Sequence, residues 1–244
     1  MSECCTVVTG AASGIGYAVA TKLLSRGENV VAVDLNAERL SERFSGNANV
    51  VCIACDLASL DGFKLLTAGI KTRFETVKGF VHAAGFDVMA PLGMISPDIM
   101  HKLFAIHAVF PVQFIGWMSK KPNRAPGAAA VLISSLSAHE GAKGHVAYAA
   151  AKGAVEGMLK SAAAELVEKD VRLNAVVLGV VETEMSHGWI RKLTQEQKEA
   201  LDKDYPLGLG AAGDVAEVVG FLLSPAARWI TGQAVICDGG HQLA

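Results

Sequence analysis

The sequence predicts an α/β fold in which a doubly wound parallel sheet is covered by helices on both faces. Two observations carry the expectation. Short β-branched runs alternate with longer helical patterns from one end of the chain to the other. The first of these junctions, TVVTGAASGIG, turns from strand to helix through Gly10, Gly14 and Gly16.

In order, TVVTG at 6–10 reads as the first strand, and the amphipathic helix at 14–26 stops at Gly27. NVVAVD precedes a helix at 36–44, NVVCIACD a helix at 60–77, and GFVHAAG a helix at 97–120. AAAVLISS then leads to a helix at 148–168, VRLNAVVLG to helices at 194–203 and 213–223, and QAVICDGG closes the series. The stretch richest in proline, glycine and basic residues, KKPNRAPG at 120–127, is short enough to be a loop, and nothing resembles a linker or a repeat. One domain spanning 1–244 is expected. Within 148–168, Val155, Met158, Leu159, Ala162, Ala163 and Leu166 recur at helical spacing and should face a packed neighbour. Ala149, Gly153 and Gly157 form a flat strip suited either to a close helix contact or to a subunit interface.

Composition narrows the function classes. With 244 residues, 51% apolar and a formal net charge of −2, the chain offers no basic field for nucleic acid or an anionic membrane, so a small-molecule partner is expected. MSECCTVVTG has no basic segment and does not read as an export signal. The alanine-rich stretch 148–167 is interrupted by Lys152, Glu156, Lys160 and Glu165, which disqualifies it as a membrane span. Five scattered cysteines fit a reducing, cytoplasmic location. Cys52 and Cys55 lie in a strand pattern, where positions i and i+3 point to opposite faces, so no metal or redox pair is expected of them.

Strand, glycine turn and helix in that order suit a dinucleotide: the turn lets backbone approach a pyrophosphate, and the helix start offers free N–H groups. Asp34 ends the second strand pattern, where a carboxylate accepts from ribose hydroxyls and repels a 2′-phosphate, which favours NAD over NADP. The same aspartate could instead cap the helix that follows. Asp56, ending the third strand pattern, has the same two readings, with the adenine as its expected neighbour.

YAAAK at 148–152 puts a phenol and an ammonium one helical turn apart. A tyrosine that trades protons near neutral pH must fall about three units from about 10, roughly 4 kcal/mol. One positive charge about 5 Å away, at an effective dielectric of about 20, supplies roughly 3 kcal/mol of that. Taken alone, the pair could equally be a surface lysine beside a half-buried tyrosine.

TGAASGIG at 9–16, HAAG at 82–85, ISS at 133–135, YAAAK at 148–152, RLNAV at 172–176 and ITGQAVICDGG at 230–240 together resemble the short-chain dehydrogenases/reductases across essentially the whole chain. The resemblance implies a single Rossmann-type domain of about seven strands. It implies an NAD(P)-dependent oxidoreductase that passes hydride between a secondary alcohol or ketone carbon and the nicotinamide. Tyr148 would be the general acid/base, Lys152 the residue that lowers its pKa and binds the ribose, and Ser135, thirteen residues before the tyrosine, the group that polarises the carbonyl. Cofactor contacts are implied for Gly10, Ser13, Gly14, Ile15, Gly16, Asp34, Asp56, Leu57, Ala84, Gly85, Val181 and Thr183, besides Tyr148 and Lys152. A homotetramer or homodimer is implied as well.

Three departures from the family pattern stand out. His107 occupies the place of an asparagine that supports the lysine, and an imidazole there, which can donate, accept and relay protons, should change the pH dependence of the relay. Leu178-Gly179 replaces the usual Pro-Gly and should loosen the wall near the nicotinamide. His82 and Ala83 replace two asparagines and should alter strand-end hydrogen bonding rather than chemistry.

The resemblance places the substrate between 136–147 and a mobile stretch at 184–208, where His139, Glu140, His145, His187 and Trp189 favour a polar, sugar- or polyol-like alcohol; Ser135 and Tyr148 complete that set. One alternative is an NADPH-linked 3-oxoacyl-thioester reductase, whose carrier protein Arg124 and Arg172 could meet. Another is a dinucleotide-binding sensor or scaffold without turnover.

Overall fold

The computed structural model describes residues 4–243. Residues 1–3, part of the stretch read above as lacking an export signal, lie outside those described, as does residue 244. The strands are β1 (Cys4–Thr9), β2 (Val30–Asp34), β3 (Val50–Ala54), β4 (Thr76–His82), β5 (Arg124–Ser135), β6 (Val171–Leu178), β7 (Val181–Glu182), β8 (Gly210–Ala211) and β9 (Ala234–Cys237). The α-helices are α1 (Gly14–Ser25), α2 (Ala37–Phe44), α3 (Leu60–Lys71), α4 (Pro97–Phe104), α5 (Phe110–Met118), α6 (Val146–Val167), α7 (Glu184–Ile190), α8 (Gln195–Lys203) and α9 (Ala212–Leu223).

Seven strands form one sheet in the order β3-β2-β1-β4-β5-β6-β9, every pairing parallel. Parallel neighbours require crossover helices, which cover both faces and turn the strands into continuous apolar runs. One core layer joins Val7, Phe80 and Leu132 of the sheet to Leu66 and Ile70 of α3, Phe110 and Phe114 of α5 and Leu159 of α6. The other joins Val8, Val31's neighbours Val30 and Ala32, and Val176 to Val19 and Leu23 of α1, Leu40 of α2 and Val219 of α9. Each fully buried side chain of this kind contributes roughly 1.5–3 kcal/mol. The order of strands reverses between β1 and β4, which opens a crevice at their carboxyl ends.

Boundaries differ from the expectation in three places. The helix expected at 60–77 ends at Lys71, because buried Phe74 and Val77 are drawn under the sheet and the chain enters β4 at Thr76. β5 begins at Arg124, inside the expected loop, paired with Val77 across an irregularity in the β4 ladder. The helix expected at 97–120 is interrupted at Ala105–Val109 by a π-helical turn. By length and composition Pro97–Met118 matches a membrane span, with 22 residues and a mean hydropathy of 1.3. Its inner face, Leu103, Phe110, Phe114 and Met118, is buried within the fold.

The flat strip on α6 faces outward: a Cβ added at Gly153 or Gly157 meets nothing within 4 Å. That removes the reading of a close helix contact inside this chain. Cys52 is exposed and Cys55 buried, on opposite faces of the sheet edge, and the five cysteines are free thiols.

Candidate active site

The glycine turn is fixed by close backbone approach. Gly10 has φ +69°, and a Cβ there would lie 2.9 Å from the Ala84 nitrogen; at Gly16 it would lie 2.2 Å from the Gly10 oxygen. Neither position admits a side chain without moving backbone. Ser13 is the N-cap of α1 but its side chain makes no capping hydrogen bond, so the first-turn N–H groups keep their capacity for an anion. Asp34 accepts from Ala12 N–H and from Asn36 N–H, both at 3.1 Å, tying the turn to the end of β2. The cap of α2 is Asn36, which accepts from Arg39 N–H at 2.9 Å, so the capping alternative for Asp34 falls to its neighbour.

A cleft of about 510 Å³ runs from this turn along the carboxyl ends of the strands to α6 and α7. Gly10, Ser13, Gly14, Ile15, Gly16 and Asp34 line one end. Ser135, from the end of β5, and Tyr148 and Lys152, from the first turns of α6, line the middle, together with Gly85 and His107. Val181, Thr183, Glu140, His145 and Trp189 belong to the rest of the wall that the sequence anticipated. Gly14 fits closely under Thr183, whose Cγ2 a Cβ would approach to 3.3 Å.

Other anticipated residues stand outside this wall. Asp56 is exposed and its carboxylate accepts from Ala58 N–H at 2.9 Å, forming the turn into α3. Leu57 is buried in the core beside it, and Ala84 sits behind Gly85, donating its N–H to Thr9 Oγ1 at 3.2 Å. His139 is drawn to Glu156, Nε2 to Oε2 2.8 Å, while the other carboxylate oxygen accepts from Ser134 at 2.6 Å. His187 belongs to α7 but not to the cleft lining.

The electrostatics correct the simple i, i+4 argument. Lys152 Nζ lies 5.4 Å from the centre of the Tyr148 ring and donates to the Ile133 carbonyl at 2.8 Å. Burial pushes Lys152 down to about 7, so near neutral pH it carries only part of its charge. The phenol of Tyr148 is pushed above its ordinary value, by burial first and then by the negative charge of Asp87, with the Ser135 hydroxyl opposing. Burial and the Asp87 charge set the phenol, and the lowering expected from the lysine does not appear.

His107 lies in the π turn, fully buried, edge-on to Tyr148 with ring centres 5.6 Å apart. Its Nε2–H donates to the Phe86 carbonyl at 3.0 Å, and burial followed by the Lys152 charge pushes it down to about 2. It is therefore neutral, with Nδ1 an acceptor. A Cβ on Gly85 would lie 2.1 Å from its Cε1, so glycine at 85 is what admits the imidazole. His82 closes a second link: Thr9 Oγ1 lies 2.9 Å from Nδ1, and Nε2 lies 2.9 Å from the Ile106 carbonyl in the π turn. The strand-end substitution is thus a hydrogen-bonded bridge between β1, β4 and the π turn.

The wall at Leu178-Gly179 is tight rather than loose. Tyr205, buried beyond α8, accepts from Val180 N–H through its hydroxyl at 2.9 Å, and a Cβ on Gly179 would lie 2.8 Å from its ring. Arg172 donates to the Leu222, Leu223 and Ser224 carbonyls at the end of α9, and Arg124 to the Ser119 carbonyl at 2.6 Å. Both guanidinium groups are occupied within the fold, which overturns the idea that they face a carrier protein. Among the cleft residues that the sequence reading did not single out are Tyr205, which had no motif, and Asp87, whose signal was an acid two residues past the glycine that ends the β4 turn.

A glycine cradle, an uncapped helix start and a serine, tyrosine and lysine thus share one cleft. The family model described as enoyl-(acyl carrier protein) reductase matches residues 10–242. The D-threitol dehydrogenase of Mycolicibacterium smegmatis is 33% identical over 97% of this chain and 92% of its own. The chain belongs to the short-chain dehydrogenase/reductase family. The 2-(R)-hydroxypropyl-CoM dehydrogenase of Xanthobacter autotrophicus, another family relative, is 30% identical over 96% of this chain and 97% of its own. A solved short-chain dehydrogenase/reductase from Brucella melitensis, described as glucose/ribitol dehydrogenase, superposes with a TM-score of 0.90 at 28% identity, covering 100% of this chain and 98% of that one. A 4-hydroxyisoleucine dehydrogenase complexed with NADH has the same fold, with a TM-score of 0.90 at 24% identity, covering 98% of each chain.

Proposed function

We propose that the protein is an NAD(H)-dependent oxidoreductase that interconverts a polar secondary alcohol and its ketone, with Tyr148 as general acid and base. The observation that carries this reading is the meeting of Ser135, Tyr148 and Lys152 in the cleft that begins at the glycine cradle. A dinucleotide fits the residues present. Gly10 and Gly16 leave room that any side chain would fill, the start of α1 offers N–H groups to a pyrophosphate, and Asp34 stands where ribose hydroxyls would donate to it. Asp34 disfavours a 2′-phosphate, and Arg39 nearby is held in a fork by Glu184, at 2.7 and 2.6 Å. Lys152 and Thr183 would hold the nicotinamide end.

When bound, the nicotinamide supplies the hydride acceptor or donor at its C4. In reduction Ser135 donates a hydrogen bond to the carbonyl oxygen, and Tyr148 gives that oxygen its proton as the carbon gains hydride. In oxidation the tyrosinate takes the hydroxyl proton as the same carbon loses hydride. His107 supports the tyrosine by edge contact and by offering Nδ1 to a proton relay. His145 and Trp189 orient the polar end of the substrate. The family model's description bears on the thioester reductase reading, but Asp34 in the cleft and the occupied guanidinium groups of Arg124 and Arg172 weigh against it, and the presence of both tyrosine and lysine in the cleft argues against a sensor without turnover.

The reading includes a cytoplasmic homotetramer or homodimer. Five free thiols suit a reducing compartment, and the flat strip of α6 beside exposed Val109 and Val112 suits a subunit contact. Titration with NADH and NADPH, followed by nicotinamide fluorescence, tests the cofactor: tight NADH binding, weak NADPH binding and a relaxed preference in Asp34→Asn are expected. Failure of both to bind would overturn the reading.

A further inference from the structure

Among the described residues, three buried side-chain atoms make no hydrogen bond within the protein: Asp87 Oδ1, His107 Nδ1 and His145 Nδ1. All three residues line the one cleft that holds Ser135, Tyr148 and Lys152. Buried polar atoms are almost always bonded, so three in one wall point to groups that a ligand satisfies. Their chemistry is one-sided. A carboxylate only accepts, and His107 gives its proton to the Phe86 carbonyl, leaving Nδ1 to accept. His145 Nδ1 approaches Asp87 Oδ2 at 3.4 Å without an aligned hydrogen bond, so it does not occupy Oδ1.

We infer that Asp87 is the specificity-determining residue of this site, accepting a hydrogen bond from a hydroxyl adjacent to the reacting carbinol, so that vicinal diols and polyols are preferred over plain secondary alcohols. The inference rests on the alcohol–ketone reading and adds its substrate class. Asp87 lines the same cleft as Ser135, Tyr148 and Lys152, so a substrate whose reacting oxygen meets Ser135 and Tyr148 shares that cleft with the free carboxylate oxygen. A hydroxyl suits it better than an ammonium, which would share the cleft with the charge of Lys152. A plain alkyl group would leave Oδ1 buried and unbonded, and such mismatches discriminate far more strongly than missing methylenes do.

Oxidation of butane-2,3-diol and butan-2-ol with NAD, which share a carbon skeleton, provides the test in wild type, Asp87→Ala and Asp87→Asn. Wild type should favour the diol in kcat/KM by at least about tenfold, the scale of one charge-assisted hydrogen bond. Asp87→Ala should erase that preference, and Asp87→Asn, which keeps the shape and one acceptor oxygen, should reduce it partly. NADH binding and the melting temperature of each variant report whether the fold is intact. No diol preference in wild type, or the same preference in all three proteins, overturns the inference and leaves the enzyme reading standing. If wild type binds NADH but oxidises neither alcohol, the enzyme reading falls, and calorimetric titration of threitol into the protein–NADH complex decides the role of Asp87. Binding weakened about tenfold in Asp87→Ala sustains it; no binding, or binding unchanged in the variant, overturns it.

Discussion

Tyr148 and Lys152 share a turn of α6, and their spacing is what makes the sequence readable as chemistry. Their proton affinities are decided by surroundings that the spacing does not contain. Asp87, 61 positions upstream of Tyr148, adds its charge to the same phenol. With its pKa raised, Tyr148 stays protonated at neutral pH and is set to donate. Oxidation, which needs the tyrosinate, should therefore accelerate as the pH rises above 7, while reduction should not. Paired pH–rate profiles check this, and Asp87→Asn, by removing a negative charge, should move the oxidative limb to lower pH. Tyr148→Phe removes the transferable proton and should lower kcat about 10²–10⁴-fold while leaving NADH fluorescence titration intact.

The π turn at Ala105–Val109 is an element-scale feature with a consequence for stability. His107 within it and His82 bonded to it are held neutral, pushed down to about 2 and about 3. Burial is the main cause for both, with the Lys152 charge second. Unfolded, each ring would take up a proton as the pH falls through about 6.5. Below that pH the unfolded chain binds more protons than the native one, so stability present at neutral pH is lost on acidification. Each ring contributes up to about 1.4 kcal/mol per pH unit. Urea unfolding at pH 7 and pH 5 should show a smaller loss between the two in His82→Asn than in wild type. The interruption had a local signal that the expectation of one helix at 97–120 passed over: Pro111, at the start of α5, has no N–H to offer the His107 carbonyl four residues back. The end of α3 at Lys71 had no such signal, because a helix-compatible sequence there yields to the pull of Phe74 and Val77 into the core.

For the whole molecule, the outward strip of α6 leads to an assembly prediction. The chain has a mass of 25.5 kDa, and light scattering should give a multiple of it. Gly153→Glu, placed in open space on this surface, should leave the melting curve cooperative and shift the mass toward the single chain.

The alternation of strands and helices and the glycine turn were legible in the sequence alone, because each depends on local spacing or on a backbone that tolerates no side chain. Ser135, Tyr148 and Lys152 were singled out together only through the resemblance to a family, since 13 residues and a strand end separate the serine from the tyrosine. Only the tertiary structure decided that Arg172 serves α9 rather than a partner. It alone decided that Tyr205 braces the wall at Gly179 and that Asp87 joins the cleft. Those outcomes follow from parallel pairing, which brings the carboxyl ends of β1, β4, β5 and β6 to one edge and gathers side chains that no local pattern connects.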